Sequence, residues 1–307
     1  MVQQLRTKQY QRKGISHTMA AISASAVKDL REKTGVGMME AKKALEETGG
    51  DAEKAIDLLR KKGLSAAAKK AARVASEGMI ASHIAGKIGV LAEVNSETDF
   101  VAKNEDFQRF AKGVAELAAT QNPANVEAIA QMTIGGENVE AKRNALVQKI
   151  GENIAVRRFV RYETAGQLAI YLHGNRIGVM VDFTGGDEQL GKDIAMHIAA
   201  ANPQYLSRET VPADALARER AIFEAQAKES GKPANIIGKM VDGKLEKFFG
   251  EACLLEQVFI KDPDGKLKVK NLLKGAAINR FVRLQLGEGI EKKKECFAEE
   301  VAAQLKQ

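Results

Sequence analysis

A repeated hairpin signature is the feature that most constrains the fold of this 307-residue chain. The stretches 84–91 and 172–180 share the same order of apolar residues and glycines, with one residue inserted in the second. Helical patterns follow both stretches, over residues 107–119 and 193–201. Because one small sheet with one helix buries little apolar surface, the repeat predicts two like subdomains packed side by side.

An apolar, β-rich run follows the helical segment in each copy. The first run opens at Gly151 and continues to Tyr162, and the second opens at Gly250 and continues to Ile260. Such runs predict a return strand that completes each sheet. We therefore assign a first core subdomain to residues 78–163 and a second to residues 164–272.

The two copies differ where the first hairpin ends. It leads into an acidic and aromatic loop formed by Thr98, Asp99, Phe100 and Val101. A loop that carries a Phe beside a carboxylate is typical of a partner-binding tip. Alternatively, Phe100 turns inward and packs with Phe107 and Phe110 against the next helix. The second copy has only Thr, two Gly and Asp at 184–187, and this difference favours partner binding.

Residues 19–64 show three short amphipathic helical patterns. Glycines at 35, 37, 49 and 50 separate them, and Asp51 is positioned to cap the third. The patterns predict a compact three-helix module, and the absence of His and Cys from it favours binding over catalysis. Its Lys42 and Lys43 are either solvated charges or partner contacts.

The positive charge is unevenly distributed. Four of the seven excess charges lie in residues 1–18, which contain no acid and are predicted to be an unstructured extension. Residues 60–73 carry six basic side chains and no acid, interleaved with alanines, so residues 65–77 are predicted to form a helical linker. RNA binding by this run is the weaker interpretation, because no aromatic residue is present for base stacking. Direct nucleic-acid binding is therefore not expected.

A helical hairpin is predicted within the second copy, over residues 212–248. Leu216 and Phe223 lie a heptad apart, and an apolar stripe follows the turn at Ser230, formed by Ile237, Val241, Leu245 and Phe248. Such a hairpin is either an arm for contact or dimerisation, or packs flat on its own core. Residues 273–307 are predicted to form a C-terminal module with a strand over 278–286 and a helix over 291–306, which docks on its own domain or on a partner.

The chain has no phosphate-binding loop, dinucleotide fingerprint or zinc motif. No catalytic residue, metal site or cofactor is predicted. Asp99 and His173 are the only acid and imidazole in turn-like positions, and they can form a pair only if the two hairpins point together. No apolar run approaches the roughly 20 residues that span a bilayer. Cys253 and Cys296 lie in separate elements, so a reducing compartment is expected. The sequence thus indicates a protein that binds another macromolecule.

Five separated motifs resemble the bacterial elongation factor Ts family. They lie at residues 34–45, 98–103, 149–153, 197–200 and 287–291, and the resemblance runs from Met19 to the C-terminus. It implies an α+β fold with an N-terminal three-helix module like ubiquitin-associated domains, a duplicated antiparallel sheet and helix core, an inserted antiparallel helical hairpin resembling a coiled coil, and a C-terminal helical module.

The resemblance also implies a cytoplasmic guanine nucleotide exchange factor that binds elongation factor Tu and releases its GDP. In the family, the loop matching Asp99 and Phe100 enters near the partner's magnesium, so Phe100 would be the wedge and Asp99 the charge beside it. Further positions are linked by the resemblance to partner contact or exchange: Lys42, Ile150, Gly151, His173, Met240 and Val241. A ubiquitin-like adaptor, a basic RNA-binding protein and an enzyme are the rival interpretations.

Overall fold

The structure is a computed structural model that describes residues 22–229, 231 and 233–291. The predicted extension over residues 1–18 lies outside the described residues. So does the predicted tail helix beyond Glu291. The chain divides after residue 64 into two compact units.

The first unit contains the helices α1 (Ala24–Thr34), α2 (Met38–Glu47) and the start of α3 (Ala52–Lys70). The Ser23 hydroxyl caps α1 by accepting the amide proton of Ala26, and Gly35 ends α1 with a left-handed φ of 69°. All three helices contribute to one apolar core, formed by Val27, Leu30, Val36, Ala41, Ala44, Leu45, Ala55 and Leu59. The predicted three-helix module is therefore confirmed.

The second unit begins with the end of α3, which continues to Lys70 and so occupies the first part of the predicted basic linker. The first core subdomain then follows, in the order β1 (Glu77–Ala85), β2 (Ile88–Ser96), α4 (Glu105–Gln121), α5 (Val126–Gln131), β3 (Thr133–Ile134), β4 (Glu137–Asn138), α6 (Val139–Ile150) and β5 (Ile154–Glu163). Strands β1, β2 and β5 form one antiparallel sheet in that order.

The second core subdomain has the same plan with a larger insertion. Its elements are β6 (Gln167–His173), β7 (Ile177–Thr184), α7 (Glu188–Ala201), α8 (Ala213–Lys228), α9 (Ala234–Ala252), α10 (Val269–Leu272) and β8 (Ala277–Gln285). Strands β6, β7 and β8 form the second antiparallel sheet. The duplicated core is therefore confirmed.

The predicted return strand of the second copy is wrong. Residues 250–260 contain the end of α9 and a single 3₁₀ turn at Leu254–Glu256. Strand β8 closes the sheet instead, so a strand expected in a separate C-terminal module belongs to the second core subdomain. Leu254 and Phe259 of the run over residues 250–260 are buried because they pack with α7 in the apolar core of that subdomain. The strand-like pairing of this run is limited to isolated bridges at Cys253 and Val258, so its hydrophobicity reflects burial more than sheet formation.

The two sheets pack face to face, which differs from the predicted side-by-side arrangement. Side chains of the middle strands β2 and β7 point alternately to the two faces of their sheets. Leu91 and Met180 lie in the layer between the sheets. Their neighbours face the helices, namely Val90, Ala92 and Val94 on β2, and Val179, Val181 and Phe183 on β7. The repeated glycines permit this approach, since a Cβ on Gly178 would lie 2.5 Å from Cγ2 of Ile80.

Helices α8 and α9 form the predicted antiparallel hairpin. Their seam contains Leu216, Phe223, Ala227, Ile237, Met240, Val241, Leu245 and Phe249. Phe249 takes the place expected for Phe248. Helix α8 packs mainly against α9, so the alternative of a hairpin lying flat on the sheet is wrong. At its base, the guanidinium of Arg208 binds Glu246 at 2.6 Å and lies over the Phe249 ring.

Candidate partner-binding site

The acidic and aromatic loop connects β2 to α4 in the first core subdomain. Asn104 caps α4, because its side-chain carbonyl accepts the amide protons of Asp106 and Phe107. Phe107 is fully buried, whereas Phe100 is 75% exposed. The interpretation of Phe100 as an inward staple is therefore wrong, and its ring is available to another molecule.

Val101 explains why Phe100 points outward. Val101 is buried in the subdomain core and begins a short 3₁₀ turn that ends at Lys103. The carbonyl of Phe100 accepts the amide proton of Lys103 at 3.1 Å, which fixes the backbone immediately after the ring. The Lys103 ammonium lies 5.8 Å from the ring centroid. The apolar anchor of this loop is thus Val101, and Phe100 is not required to seal the core.

The other side of the loop is held by a reciprocal set of bonds, which we call the loop clasp and define as Glu97, Thr98, Glu152 and Asn153. The Glu152 carboxylate accepts the Thr98 amide at 2.9 Å and the Thr98 hydroxyl at 2.6 Å. In return, the Glu97 carboxylate accepts the Asn153 amide at 2.6 Å. Asp99 and Phe100 are therefore the exposed pair between the clasp and the buried Val101.

The second core subdomain reaches this loop through its hairpin turn. The Arg176 guanidinium donates to the Glu77 carboxylate at 2.7 Å, and Asn175 accepts the amide of Ile80 at 2.8 Å. The hydrogen bond to Glu77 and, more weakly, the charge of Asp99 raise the pKa of Arg176. The two hairpins do meet, and Arg176 with Glu77, rather than His173 with Asp99, forms the charged pair between them.

His173 lies at the end of β6 and is exposed. Its Nδ1 is 3.3 Å from the Tyr171 hydroxyl. Both side chains line a cleft of about 530 Å³, together with Ile177, Met196, Ile260 and Arg283. The roughly equivalent position in the first copy is Ala85, so the imidazole belongs to a surface specific to the second copy.

Ile150 and Gly151 lie directly before the clasp residue Glu152. Gly151 ends α6 with a left-handed φ of 88° and is exposed, and its amide donates to Val147. Ile150 is half-buried against the core. These two residues therefore lie beside the loop in space. Both also belong to the motif at residues 149–153 that carries the family resemblance.

Lys42 and the Met240–Val241 pair lie elsewhere. Lys42 is exposed on α2 in the first unit, with its ammonium 3.7 Å from the Glu46 carboxylate. Val241 is buried in the helical hairpin, so it contacts the hairpin's own seam, while Met240 is half-buried. Any effect of Val241 on a partner must therefore act through hairpin packing.

Among the residues that the structure describes, no group of three or more His, Cys, Asp or Glu side chains is placed to bind a metal ion. Within the same ranges, no helix combines the length and the apolar character needed to cross a bilayer.

Comparison with known proteins identifies the family. The sequence profile described as Elongation factor TS matches residues 97–288, which include the loop, the clasp, strand β5 of the first sheet and the whole second sheet. Elongation factor Ts of Burkholderia multivorans is 55% identical over 289 residues, which cover 94% of this chain and 98% of that protein. Elongation factor Ts of Alkalilimnicola ehrlichii is 55% identical over 291 residues, which cover 93% and 99%.

The chain belongs to the elongation factor Ts family. The resemblance identified from the five motifs is thereby confirmed. Membership implies a nucleotide exchange factor for elongation factor Tu in translation elongation, which is not an enzyme in the usual sense.

Sequence reasoning missed three side chains around the loop: Glu77, Glu152 and Arg176. Glu152 had a usable signal. Ser96 pairs with Ile154, so an antiparallel continuation places residue 152 opposite residue 98. The sequence contains no such signal for Glu77 and Arg176, since their contact depends on how the two sheets pack.

Proposed function

We propose that this chain binds elongation factor Tu in its GDP form, disturbs the magnesium and phosphate site of that GTPase, and promotes GDP release. The observation that carries the proposal is the exposure of Phe100, which is 75% accessible between the clasp and buried Val101. An aromatic ring held outward by a fixed backbone is suited to insert between partner side chains.

Asp99 supplies the charge beside this wedge. In the proposal, Thr98 and Val101 hold the tip, Phe100 separates partner side chains near the bound cation, and Asp99 anchors or repositions the groups that Phe100 displaces. A magnesium ion that bridges phosphate oxygens supplies part of a nucleotide's affinity, so losing the ion weakens GDP binding. A factor that prefers the metal-free GTPase lowers the affinity of the GTPase for GDP. By linkage, GDP lowers the affinity of the GTPase for the factor by the same ratio.

This mechanism needs no covalent step, so we assign no catalytic residue, resident metal or cofactor to the chain. Partner contacts are proposed also for Lys42, Ile150, Gly151 and His173, while Met240 and Val241 contribute through the helical hairpin. Support comes from the exposure of Lys42, Gly151 and His173 and from the position of Ile150 beside the clasp.

We also propose that α8 and α9 form a dimerisation arm. Support comes from a hairpin whose helices pack mainly on each other, leaving outward faces such as Ile222 exposed. We place the protein in the cytoplasm, where translation elongation occurs, in contact with elongation factor Tu and without direct contact to nucleic acid or membrane.

The test is the release of fluorescent GDP from elongation factor Tu, chased with unlabelled GDP, with and without this chain. Phe100→Ala is expected to keep the fold and to slow stimulated release by about 30-fold, the effect of losing a binding hot spot of about 2 kcal/mol. The matched control is Ile84→Ala, because Ile84 is also an exposed apolar residue. It lies at the hairpin-turn end of β1, away from the end that pairs with Ser96 beside the loop. Normal release with Phe100→Ala would refute the wedge.

A further inference from the structure

We infer that Glu152 is a positioning residue for nucleotide exchange, which acts by fixing Thr98 so that Asp99 and Phe100 are presented in one conformation. The inference rests on the proposed function. Glu152 uses both carboxylate oxygens on a single residue, at 2.9 Å to the Thr98 amide and 2.6 Å to its hydroxyl. A two-point attachment of this kind fixes both the backbone and the side chain of Thr98.

The location of this attachment distinguishes it from ordinary loop bonding. Thr98 is the last residue before the exposed pair, and its carbonyl also accepts the Ser96 hydroxyl at 3.0 Å. On the far side, buried Val101 and the turn to Lys103 fix the backbone again. Asp99 and Phe100 are therefore held between two fixed points, so inserting the ring costs little conformational entropy.

A nearby arginine compensates the negative charge of the clasp. Glu97 and Glu152 bring two carboxylates to neighbouring positions, and like charges repel. The Arg73 guanidinium lies 3.5 Å from the Glu97 carboxylate, and the Arg73 carbonyl accepts the Asn153 side-chain amide at 2.9 Å. Arg73 thus offsets one negative charge and ties the clasp to the chain that follows α3.

The chemistry of the clasp predicts a graded series of variants. Glutamine at position 152 can accept one hydrogen bond from Thr98 and donate one to its hydroxyl, whereas alanine can do neither. Thr98→Val removes the hydroxyl while preserving the side-chain shape. Maximal exchange activity should therefore decrease from wild type through Glu152→Gln and Thr98→Val to Glu152→Ala.

The first experiment measures GDP release from elongation factor Tu over a range of concentrations of the full chain. Glu152→Ala is expected to lower the maximal rate by about tenfold, because a tip that is no longer fixed must lose conformational entropy when Phe100 inserts. The concentration at half-maximal rate should change less. Glu163→Ala is the matched control, since it removes a carboxylate from the opposite end of β5.

The second experiment asks whether Glu152 acts through Phe100. If Glu152 only positions the tip, its substitution should have little further effect once Phe100 is alanine, and the rates of Glu152→Ala/Phe100→Ala and Phe100→Ala should agree within about twofold. If the two effects multiply, Glu152 does not act through Phe100 and the inference fails. A general loss of stability would not produce agreement of this kind.

Amide exchange of Thr98 provides a readout that does not depend on the partner. Glu152→Ala should speed exchange of the Thr98 amide by at least about tenfold and leave amides within α4 unchanged. A normal maximal rate for Glu152→Ala beside a slow Phe100→Ala would overturn the positioning role alone. A normal rate for Phe100→Ala would overturn the proposed wedge, and the role of Glu152 with it.

Discussion

Glu93 on β2 and Asp182 on β7 occupy equivalent positions in the two sheets, and each carboxylate binds an arginine on the adjacent return strand. Arg158 lies 2.6 Å from Glu93, and Arg280 lies 3.0 Å from Asp182. A register shift follows each carboxylate in its strand pairing. The duplication therefore extends beyond the hairpins to a charged pair and a bulge in each copy.

The chain that leaves each return strand crosses to the carboxylate of the other copy. After β8, the Gly287 amide donates to Glu93 at 2.8 Å. After β5, the Thr164 hydroxyl donates to Asp182 at 2.6 Å. Each subdomain thus secures the end of the other, and both carboxylates are buried.

Glu93 should make the stability of the second unit sensitive to acid. Its burial favours the neutral form, but the Gly287 amide and the guanidinium groups of Arg157 and Arg158 outweigh this and hold the pKa of Glu93 below its ordinary value of 4.5. A lowered carboxyl pKa adds stability above about pH 4.5, and that stability is lost as the pH falls through the folded-state pKa. Glu93→Gln should lower the free energy of unfolding by about 3 kcal/mol at pH 7.

Urea unfolding between pH 3 and pH 7 measures this effect. The difference between wild type and Glu93→Gln should be largest near neutral pH and should shrink below about pH 4.5. Glu163→Gln, which alters an exposed carboxylate, should follow the wild-type curve. A difference that stayed constant across this pH range would contradict the assignment.

Gly178→Ala should destabilise the contact between the sheets. The added methyl group would lie 2.5 Å from Cγ2 of Ile80 and 3.3 Å from Leu91, so we expect a loss of about 1–3 kcal/mol in the free energy of unfolding. Gly89→Ala should cost less, because its nearest contact is the flexible end of Met180. Gly238→Ala on α9 would meet no atom of the described residues within 4 Å and should be neutral or stabilising by up to about 1 kcal/mol. Thermal unfolding of the three variants tests the order.

Arg176→Gln should slow stimulated GDP release by about two- to fivefold. The substitution removes the cation that binds Glu77 and is attracted by the charge of Asp99, and partly exposed ion pairs are worth about 0.2–1 kcal/mol. Because salt screens such interactions, the difference from wild type should decrease at about 0.5 M salt. Lys192→Gln, which removes a surface cation from α7, is the control. Equal rates for wild type and Arg176→Gln at low salt would exclude this role.

Deletion of residues 212–248 should change self-association more than folding of the sheets. The seam residues Leu216, Phe223, Val241 and Leu245 pack within the hairpin, so the two sheets keep their own apolar cores. We expect the deletion variant to sediment as a monomer under conditions in which the full chain associates. An unchanged oligomeric state in analytical ultracentrifugation would count against the dimerisation arm.

Local patterns predicted most of the fold because most elements carry their own signals. The helix cap at Asp51 and the glycines of the two hairpin signatures report backbone geometry directly. The third strand of the second sheet was misassigned because burial and strand formation produce the same apolar composition. Leu254 is fully buried in a 3₁₀ turn, whereas β8 matches the strand predicted over residues 278–286, and only its place in the second sheet was missed.

The site was predictable to the extent that it is local. Phe100 stood out because the second copy has no equivalent, and its exposure follows from the burial of its neighbour Val101. The position of Glu152 opposite Thr98 can be deduced once the register of β5 against β2 is known. Arg176 depends on the packing of one sheet on the other, for which a single sequence contains no periodic signal.

The late position of β8 constrains how the chain is made. Strand β7 ends at Thr184, but its partner β8 does not begin until Ala277. At about 5–20 residues per second, a nascent chain would present the open edge of β7 for roughly 5 to 20 s before β8 is synthesised. An unpaired strand edge invites mispairing during that interval. The second sheet therefore stays incomplete for longer during synthesis than the first, in which β5 begins at Ile154 after β2 ends at Ser96.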